Sequence, residues 1–329
     1  METEKRRPWR RWVVLVLMIV GFILGGIFIP VQPEISIKAE ELFNIALPWG
    51  GSFSVVNTLP TLIITVFLLL WLAIATGRSL QKSLKSDLVP RGIGNLMEAF
   101  LELLYNLTEG SAGAKWAPLI FSWFATIMIY VLFANLLKLI PGFESIGFLH
   151  QVARGHPVAG GFLQPGEIEN GYVLVPFFRG ISVDLNFTLS LALIAVVMIQ
   201  VVGFRVQGFS YLGKFFNVRN MFKVPFFGAM DFLVGLLELI SEFAKILSFA
   251  FRLFGNMFAG IVLVAVIPTM LNAALSRWTG NILPSMLMMF ELFVGVIQAF
   301  VFGMLTMVFM AQATQGHAHE EAHEEAHEI

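Results

Sequence analysis

The sequence predicts an all-α, polytopic membrane protein with about six membrane-embedded segments, the last two long and strongly tilted. Hydrophobic residues make up 57% of the 329 positions, and charged residues only 13%. The mean hydropathy of +0.80 is far above that of an ordinary water-soluble domain. Several apolar runs reach the roughly 20 residues that cross a bilayer as a helix. This composition therefore indicates a chain embedded in lipid.

Charge and cysteine content exclude several function classes. The formal net charge is −1, and the chain has no cysteine. A nearly neutral chain gives no signal for a nucleic-acid partner. Without cysteine, disulfides, thiolate metal sites and cysteine nucleophiles are excluded. We predict no cofactor and no metal ligand set.

The N-terminal segment, 1–31, combines a basic start with a first apolar run. "METEKRRPWRRW" holds five basic residues, and the run 13–29 follows it. A signal peptide has the same order. The run is longer than a usual signal-peptide core, however, and "PVQPEIS" offers no small-residue cleavage site. These features favour a retained anchor helix, followed by an extracytoplasmic connection over 32–54.

The predicted core, 55–313, contains the remaining membrane segments. An amphipathic stretch at 93–110 is too polar to cross a bilayer and fits an interfacial helix. The mixed stretch 141–182 is the longest extramembrane connection. The remaining segments are three spans and two long apolar segments, at 55–75, 118–140, 184–204, 226–267 and 282–312.

The two last segments are too long for upright spans. Forty helical residues measure about 60 Å, whereas a bilayer core is about 30 Å thick. Segment 226–267 is therefore either a hairpin of two short helices or one strongly tilted helix. Its polar middle, "SEFAK", lacks Pro and Gly, which favours the single helix.

Basic residues predict the topology. Lys and Arg collect in the N-terminus, in the 78–91 connection and in the 205–223 connection. The positive-inside rule places all three on the cytoplasmic side, and alternating spans satisfy this without conflict. Both termini are then cytoplasmic.

The tail, 314–329, is a low-complexity His/Glu segment. Its histidines offer possible metal ligands, at His317, His319, His323 and His327. A solvated, disordered acidic tail is the simpler interpretation, and we favour it.

A polar stripe follows 226–267. Its members recur mostly three, four or seven residues apart, so they fall within roughly 120° of one helix face. From Glu238 to Arg252 the stripe runs about 21 Å. Its members are Asp231, Glu238, Ser241, Glu242, Lys245, Ser248, Arg252 and Asn256.

Arg252 is the member that needs an explanation. A guanidinium cannot lose its proton, and centring one in a membrane costs about 2.5–3.5 kcal/mol on insertion scales. A structural ion pair within an amphipathic helix suits Glu238, Glu242 and Lys245. It suits Arg252 less well, because positions 248, 249, 255 and 256 offer no countercharge one turn away. Its partner must come from another segment, another chain or water, which favours a functional role.

Two further polar sets accompany the stripe. Glu291 and Gln298 lie seven residues apart in the last segment. Gln298 is suited to bond a guanidinium across a helix pair, and Glu291 to exchange protons near the outer side. A plain polar contact between helices is the alternative. Asp184 and Asn186 lie at the start of the span 184–204. Helix capping explains the presence of Asp184 as well as a functional role does.

Five sequence motifs of this chain resemble those of one known family. "SFAFRLFGNMFAG" resembles the arginine motif of the a subunits of F-type ATP synthases. "VPRGIGNLMEAFLE", "FANLLKLIPG", "VDLNFTLSLAL" and "IQAFVFGMLTMVF" also fit that family, in the same order. The resemblance covers about 50–313. It implies a static, non-catalytic subunit of a bacterial plasma-membrane ATP synthase, partnered by the c-subunit ring, the b-subunit stalk and the lipid bilayer.

The resemblance also implies roles for single residues. Arg252 is the essential charge that meets a carboxylate on each passing ring subunit, between two offset half-channels for protons or sodium ions. The resemblance implies that Asn256 and Gln298 flank the arginine. The inner half-channel is then lined by Glu238, Ser241 and Ser248. The outer half-channel is lined by Glu291, Asp184 and Asn186. Two positions depart from the family: Ile261 stands where many relatives ionise, and Lys138 where some have Asp.

One rival interpretation is a secondary transporter in which Arg252 binds an anionic substrate. It predicts broken helices and internal repeats around a midplane site, and the sequence shows no repeat. A purely structural scaffold is the other rival, and it predicts that ion transport does not need Arg252.

Overall fold

The computed structural model describes residues 12, 16, 38–48, 51–85, 92–140, 142–160, 162–164, 168–215, 225–270 and 282–314. Most of the predicted anchor, the His/Glu tail beyond 314, and parts of the basic connections lie outside these residues. The described residues form two compact units, and α4 and α5, defined below, contribute to both. The helical unit comprises those within Thr58–Ile140, Arg179–Met257 and Val294–Ile329. The strand-containing unit comprises those within Met1–Asn57, Pro141–Phe178 and Phe258–Phe293.

Five helices dominate the described residues, and each contains a stretch long and apolar enough to cross a membrane. They are α1 Thr58–Leu84, α2 Ile93–Leu137, α3 Leu185–Gln207, α4 Pro225–Met270 and α5 Ile282–Thr314. This confirms the predicted helical, polytopic fold class. Short 3-10 helices, Ile181–Val183 and Gly208–Lys214, precede and follow α3.

Helix α1 has the burial pattern of a protein whose solvent is lipid. Its buried side chains are all hydroxyl-bearing: Thr58, Thr61, Thr65, Thr76 and Ser83. As far as Ile74, its exposed large side chains are apolar: Ile63, Val66, Phe67, Leu70, Trp71 and Ile74. A water-soluble helix shows the reverse preference.

Helix α2 is interrupted at Gly113. That residue has φ 75° and ψ 157°, a backbone conformation that side-chain-bearing residues rarely adopt. Pro118 follows within the next turns, near a helix start, where the missing N–H is tolerated best. Gly113 thus separates the predicted interfacial helix from the predicted span that follows it.

Helix α4 is continuous from Pro225 to Met270 over 46 residues. There is no turn in the middle, so the hairpin alternative for 226–267 is excluded. A helix of this length measures about 69 Å, whereas a bilayer core is about 30 Å thick. The tilt of α4 in the membrane stays a prediction.

The core of the helical unit lies where α2, α3 and α5 meet. Its largest members are Leu104, Ile120, Phe124, Met128, Ile199, Val202, Met307 and Met310. Small residues recur every fourth position of α5, at Gly295, Ala299 and Gly303. A Cβ added at Gly303 would lie 2.9 Å from Cβ of Met128 and 3.0 Å from the Phe124 ring. Small residues therefore let α2 and α5 approach closely, as is common between membrane helices.

We expect Gly303→Val to destabilise the helical unit by about 1–3 kcal/mol, the usual range for overpacking a close-packed core. The measurement is thermal unfolding of the purified protein in detergent. Gly77→Val is the matched control, because a Cβ at Gly77 meets nothing within 4 Å. Equal melting temperatures for the two variants would contradict the close approach of α2 and α5.

The extramembrane connections contain strands that were not predicted. In the first, β1 Glu41–Leu47 pairs antiparallel with β2 Gly51–Val56. In the second, β3 Gly147–His156 lies between β6 Ile168–Glu169 and β7 Tyr172–Pro176, and β4 Val158–Ala159 pairs with β5 Phe162–Leu163. Short alternating runs are easily overlooked beside membrane-length apolar segments, because each carries only a weak periodic signal.

Candidate functional site

The centre of the candidate site is Arg252, in the middle of the polar stripe on α4. Its Nη2 donates a hydrogen bond to Oγ of Ser248, one turn earlier, at 3.3 Å. The side chain is partly exposed. Within the described ranges, no carboxylate oxygen lies within 4.0 Å of its guanidinium. The countercharge that a cation in the middle of a membrane helix needs is therefore not supplied by the part of this chain that the structure describes.

Apolar packing of α4 sets the direction of Arg252. Phe249 packs against Phe302 and Phe309 of α5, with ring centroids 5.3 and 5.9 Å apart. Leu253 is also fully buried, whereas Phe251 and Gly255 are exposed. Arg252 thus lies at the edge between the packed face of α4 and its exposed face.

Asn256 and Gln298 form a contact beside the arginine. Nδ2 of Asn256 donates to Oε1 of Gln298 at 2.6 Å. The predicted bond from Gln298 to a guanidinium is replaced by this contact. Gln298 is 3% exposed, and its Nε2 has no hydrogen-bond partner among the residues that the structure describes. An unsatisfied buried donor costs about 1–3 kcal/mol, so this amide requires an acceptor such as water or a carboxylate.

Four charged side chains form a cluster about three turns before the arginine. Nζ of Lys214 lies 2.6 Å from Oε1 of Glu238 and 3.3 Å from Oε1 of Glu242. Nζ of Lys245 lies 2.8 Å from the same Glu242 oxygen. The cluster is neutral overall, with two carboxylates and two ammonium groups. Sequence reasoning missed Lys214 as a partner, because its place in a basic connection pointed only to topology.

The two carboxylates of this cluster differ in environment. The side chain of Glu242 is 8% exposed, against 33% for Glu238. Glu242 also accepts a hydrogen bond from Nε2 of Gln200 at 2.8 Å, and Oε1 of Gln200 accepts one from the Tyr211 hydroxyl at 2.8 Å. Glu242 is therefore surrounded by donors, whereas Glu238 keeps access to solvent and has Lys214 as its ion-pair partner.

We expect Glu242→Ala to cost about 3 kcal/mol of stability, because it leaves two lysines and an amide without their common acceptor. Glu238→Ala removes a partly exposed pair and should cost at most about 1 kcal/mol. The measurement is again thermal unfolding of the purified protein in detergent. A larger loss for Glu238→Ala than for Glu242→Ala would contradict this assignment of the buried anion.

Asp184 caps α3. Its Oδ1 accepts the backbone N–H of Asn186 at 2.9 Å, and its Oδ2 accepts the Thr58 hydroxyl at 3.0 Å. The carboxyl is buried, and Asn186, the second residue of α3, is exposed. The hydrogen bond to the Asn186 N–H is the contact that a helix cap makes. The hydrogen bond from Thr58 also links the start of α1 to the start of α3.

Asn135, within the predicted span 118–140, is a buried polar residue that the sequence analysis did not select. It is fully buried. Its Nδ2 donates to the Gly295 carbonyl at 3.0 Å, and its Oδ1 accepts the Ser182 hydroxyl at 2.6 Å. It joins α2, α5 and the 3-10 turn before α3. An amide in a predicted span was the signal available, but its partners come from distant parts of the chain.

Glu291 lies in the strand-containing unit, on the first part of α5. Its side chain is buried, and a Cβ added at Gly260 would lie 3.1 Å from Oε1 of Glu291. The absence of a side chain at Gly260 therefore makes room for the carboxylate. Ile261, the next residue, supplies no ionisable group at this place.

Within the helical unit, the predicted site residues thus form separate groups. Arg252 joins Ser248, and Asn256 joins Gln298. Glu238 belongs to the ion-pair cluster, and Ser241 is exposed on the same helix. Asp184 contacts Asn186 and Thr58, whereas Glu291 contacts Gly260. Among the described residues, no three His, Asp or Glu side chains are placed to hold a metal ion.

Comparisons with known proteins agree on one family. A family profile described as ATP synthase A chain matches residues 59–311. ATP synthase subunit a of Helicobacter pylori (strain Shi470) is 31% identical over 247 residues, which cover 73% of this chain and 85% of the relative. ATP synthase subunit a of Moorella thermoacetica is 28% identical over 285 residues, which cover 85% of this chain and 99% of the relative. Every predicted site residue lies within the matched range.

Proposed function

Because the chain belongs to the ATP synthase A chain family, we propose that it is the static ion-channel subunit of a rotary ATP synthase. Membership makes it an integral membrane subunit that takes part in ATP synthesis and ion transport together with the rest of the complex. The observation that carries the finer proposal is Arg252, a permanent cation in the middle of a membrane helix. It has no carboxylate partner in the described part of its own chain.

The countercharge is a buried carboxylate on each subunit of a rotating c ring. When such a carboxylate meets Arg252, the opposite charge favours the ionised form, and the bound ion leaves into one half-channel. The carboxylate takes up a new ion from the other half-channel before it returns to lipid as a neutral group. A guanidinium also keeps ions from passing directly between the two half-channels, because it does not deprotonate. The membrane potential drives the cycle with about 2.3 kcal/mol per charge per 100 mV.

Neighbouring polar groups position the arginine and its partner. Ser248 accepts a hydrogen bond from the guanidinium one turn away. Asn256 is held by Gln298, which is buried and fixes the amide one turn after the arginine.

The inner half-channel follows the exposed part of the polar stripe. Glu238, Ser241 and Ser248 succeed one another along α4 toward Arg252. Glu238 is the accessible carboxylate of the ion-pair cluster, so it is the group that attracts cations at this entrance. Glu242 is fully engaged by donors and serves to hold α4 in place.

The outer half-channel begins at Asp184, Asn186 and Glu291. Asp184 retains its capping contacts, and its carboxyl is polar enough to line a water path. Glu291, on the first part of α5 with Gly260 beside it, is the proton-exchanging group of this half-channel. Residues 55–313 form the channel core, and both termini are cytoplasmic.

Isolation of the native complex tests this assignment. An affinity tag on this chain should recover a c ring, a b stalk and the catalytic head from detergent-solubilised membranes. The chain alone should show no ATP hydrolysis, because the proposal assigns the nucleotide chemistry to the catalytic head. Recovery of the chain without a ring would contradict the proposed partnership.

A further inference from the structure

We propose that the β1–β2 hairpin is a membrane-surface anchor whose apolar face, formed by Phe43, Ile45 and Phe53, inserts into the lipid where α1 begins. The occupant of this face is the bilayer interface. The inference rests on the hairpin and on the lipid-facing surface of α1, and it does not depend on the proposed channel function.

The register of the hairpin separates two chemically different faces. Phe43 pairs with Val55 and Ile45 with Phe53, whereas Asn44 pairs with Ser54 and Ala46 with Ser52. Because side chains alternate along a strand, the first set lies on one face and the second set on the other. The hairpin is therefore amphipathic, with large apolar residues on one face and small or polar residues on the other.

Among the residues that the structure describes, the apolar face has no covering partner. Phe43 is 56% exposed, Ile45 48% and Phe53 51%. Only Val55, near the open end of the hairpin, is buried. Leaving this apolar area in water costs roughly 25 cal/mol per Å².

An isolated two-stranded hairpin is at best marginally stable in water. Cross-strand pairs contribute only about 0.2–1 kcal/mol each. Burial of Phe43, Ile45 and Phe53 in an apolar environment adds the stabilisation that the strand pairing alone does not supply.

The open end of the hairpin is joined to a membrane helix by a single residue. Strand β2 ends at Val56 and α1 begins at Thr58, so one residue separates the hairpin from a membrane helix. That residue, Asn57, is fully buried. Its backbone N–H donates to the Glu40 carbonyl at 3.0 Å, and its Nδ2 donates to Oε2 of Glu40 at 3.4 Å. The open end of the hairpin is thereby closed directly beside the start of α1.

The charge distribution favours lipid over water. Charged side chains occur at the open end, at Lys38, Glu40 and Glu41, and none occurs from Leu42 to Val56. The turn sequence "PWGG" adds a tryptophan, a residue enriched at membrane–water interfaces. The exposed apolar surface of α1, which includes Ile63, Val66 and Phe67, continues along the chain from the same point.

Site-directed spin labelling tests the anchor. Because this chain has no cysteine, each variant carries the introduced cysteine as its single labelling site in this chain. Cysteines at Phe43, Ile45 and Phe53 report the apolar face, and cysteines at Asn44 and Ser52 are matched controls on the opposite face. Each labelled variant is reconstituted in lipid vesicles as the assembled complex. Accessibility is measured to oxygen, which concentrates in lipid, and to a water-soluble nickel chelate.

We expect the oxygen-to-nickel accessibility ratio to be at least about threefold higher at positions 43, 45 and 53 than at 44 and 52, as for an amphipathic element lying in the interface. Three positions on the apolar face keep the test valid if one substitution prevents assembly. High nickel accessibility on both faces would overturn the proposal, because the hairpin would stand in water. Protection of the apolar face from both reagents would also overturn it, because a protein surface would then cover Phe43 and Phe53.

Discussion

Arg252→Ala should abolish ATP-driven ion pumping in membrane vesicles while the complex still assembles. The guanidinium supplies the only charge opposite to the ring carboxylate at this point of the proposed cycle. Losing about 3 kcal/mol of such an interaction lowers a rate roughly a hundredfold. Pumping is measured as ATP-dependent acidification of the vesicle lumen, or as sodium uptake.

Two further variants separate charge from geometry. Arg252→Lys keeps a cation but loses the planar fork of donors, and we expect it to pump far below the wild-type rate. Arg205→Ala is the matched control, because Arg205 lies exposed near the end of α3, and it should leave pumping nearly unchanged. Undiminished pumping by Arg252→Ala would reject the proposed role and would favour a structural scaffold.

Glu291→Gln should lower ATP-driven pumping at least about tenfold, a loss typical of removing a positioned proton-transfer group. Glutamine has nearly the same shape, so the packing against Gly260 is retained and only the titrating group is lost. The same vesicle assay measures the effect. Glu169→Gln, an exposed carboxylate of β6 in the same unit, is the control and should pump normally.

Gly260→Val gives an independent test of this position. A side chain at Gly260 would meet the Glu291 carboxylate and displace it, so this variant should reproduce part of the Glu291→Gln defect. If Glu291→Gln and Gly260→Val both pump at the wild-type rate, Glu291 does not lie on the ion path.

The helical part of the fold was predictable because its signals are long and local. Apolar runs of membrane length identify α1, α3 and α5 directly. The absence of Pro and Gly from the middle of α4 favoured one helix, and the structure has one. The strands could not be predicted with the same ease. Phe43, Ile45 and Phe53 alternate over a few residues only, and their partners are fixed by a turn rather than by a long repeat.

The candidate site was predictable where a residue is anomalous in its own helix. Arg252 stands out because no countercharge lies one turn away. The contacts of Glu238 and Asn135 were not predictable, because Lys214 and Gly295 reach them from other elements. Sequence spacing describes one helix face at a time, and it contains no information on which helix packs opposite that face.

The proposed contact between the exposed edge of α4 and a ring carboxylate is most directly tested by disulfide cross-linking. The chain has no cysteine, and a Cβ at Gly255 meets nothing within 4 Å. Gly255→Cys should cross-link to a cysteine placed beside the ring carboxylate and block ATP-driven pumping until the disulfide is reduced. Ala250→Cys, on the buried face of α4, should not. Cross-linking from position 250 without cross-linking from position 255 would show that Arg252 does not lie at the ring interface.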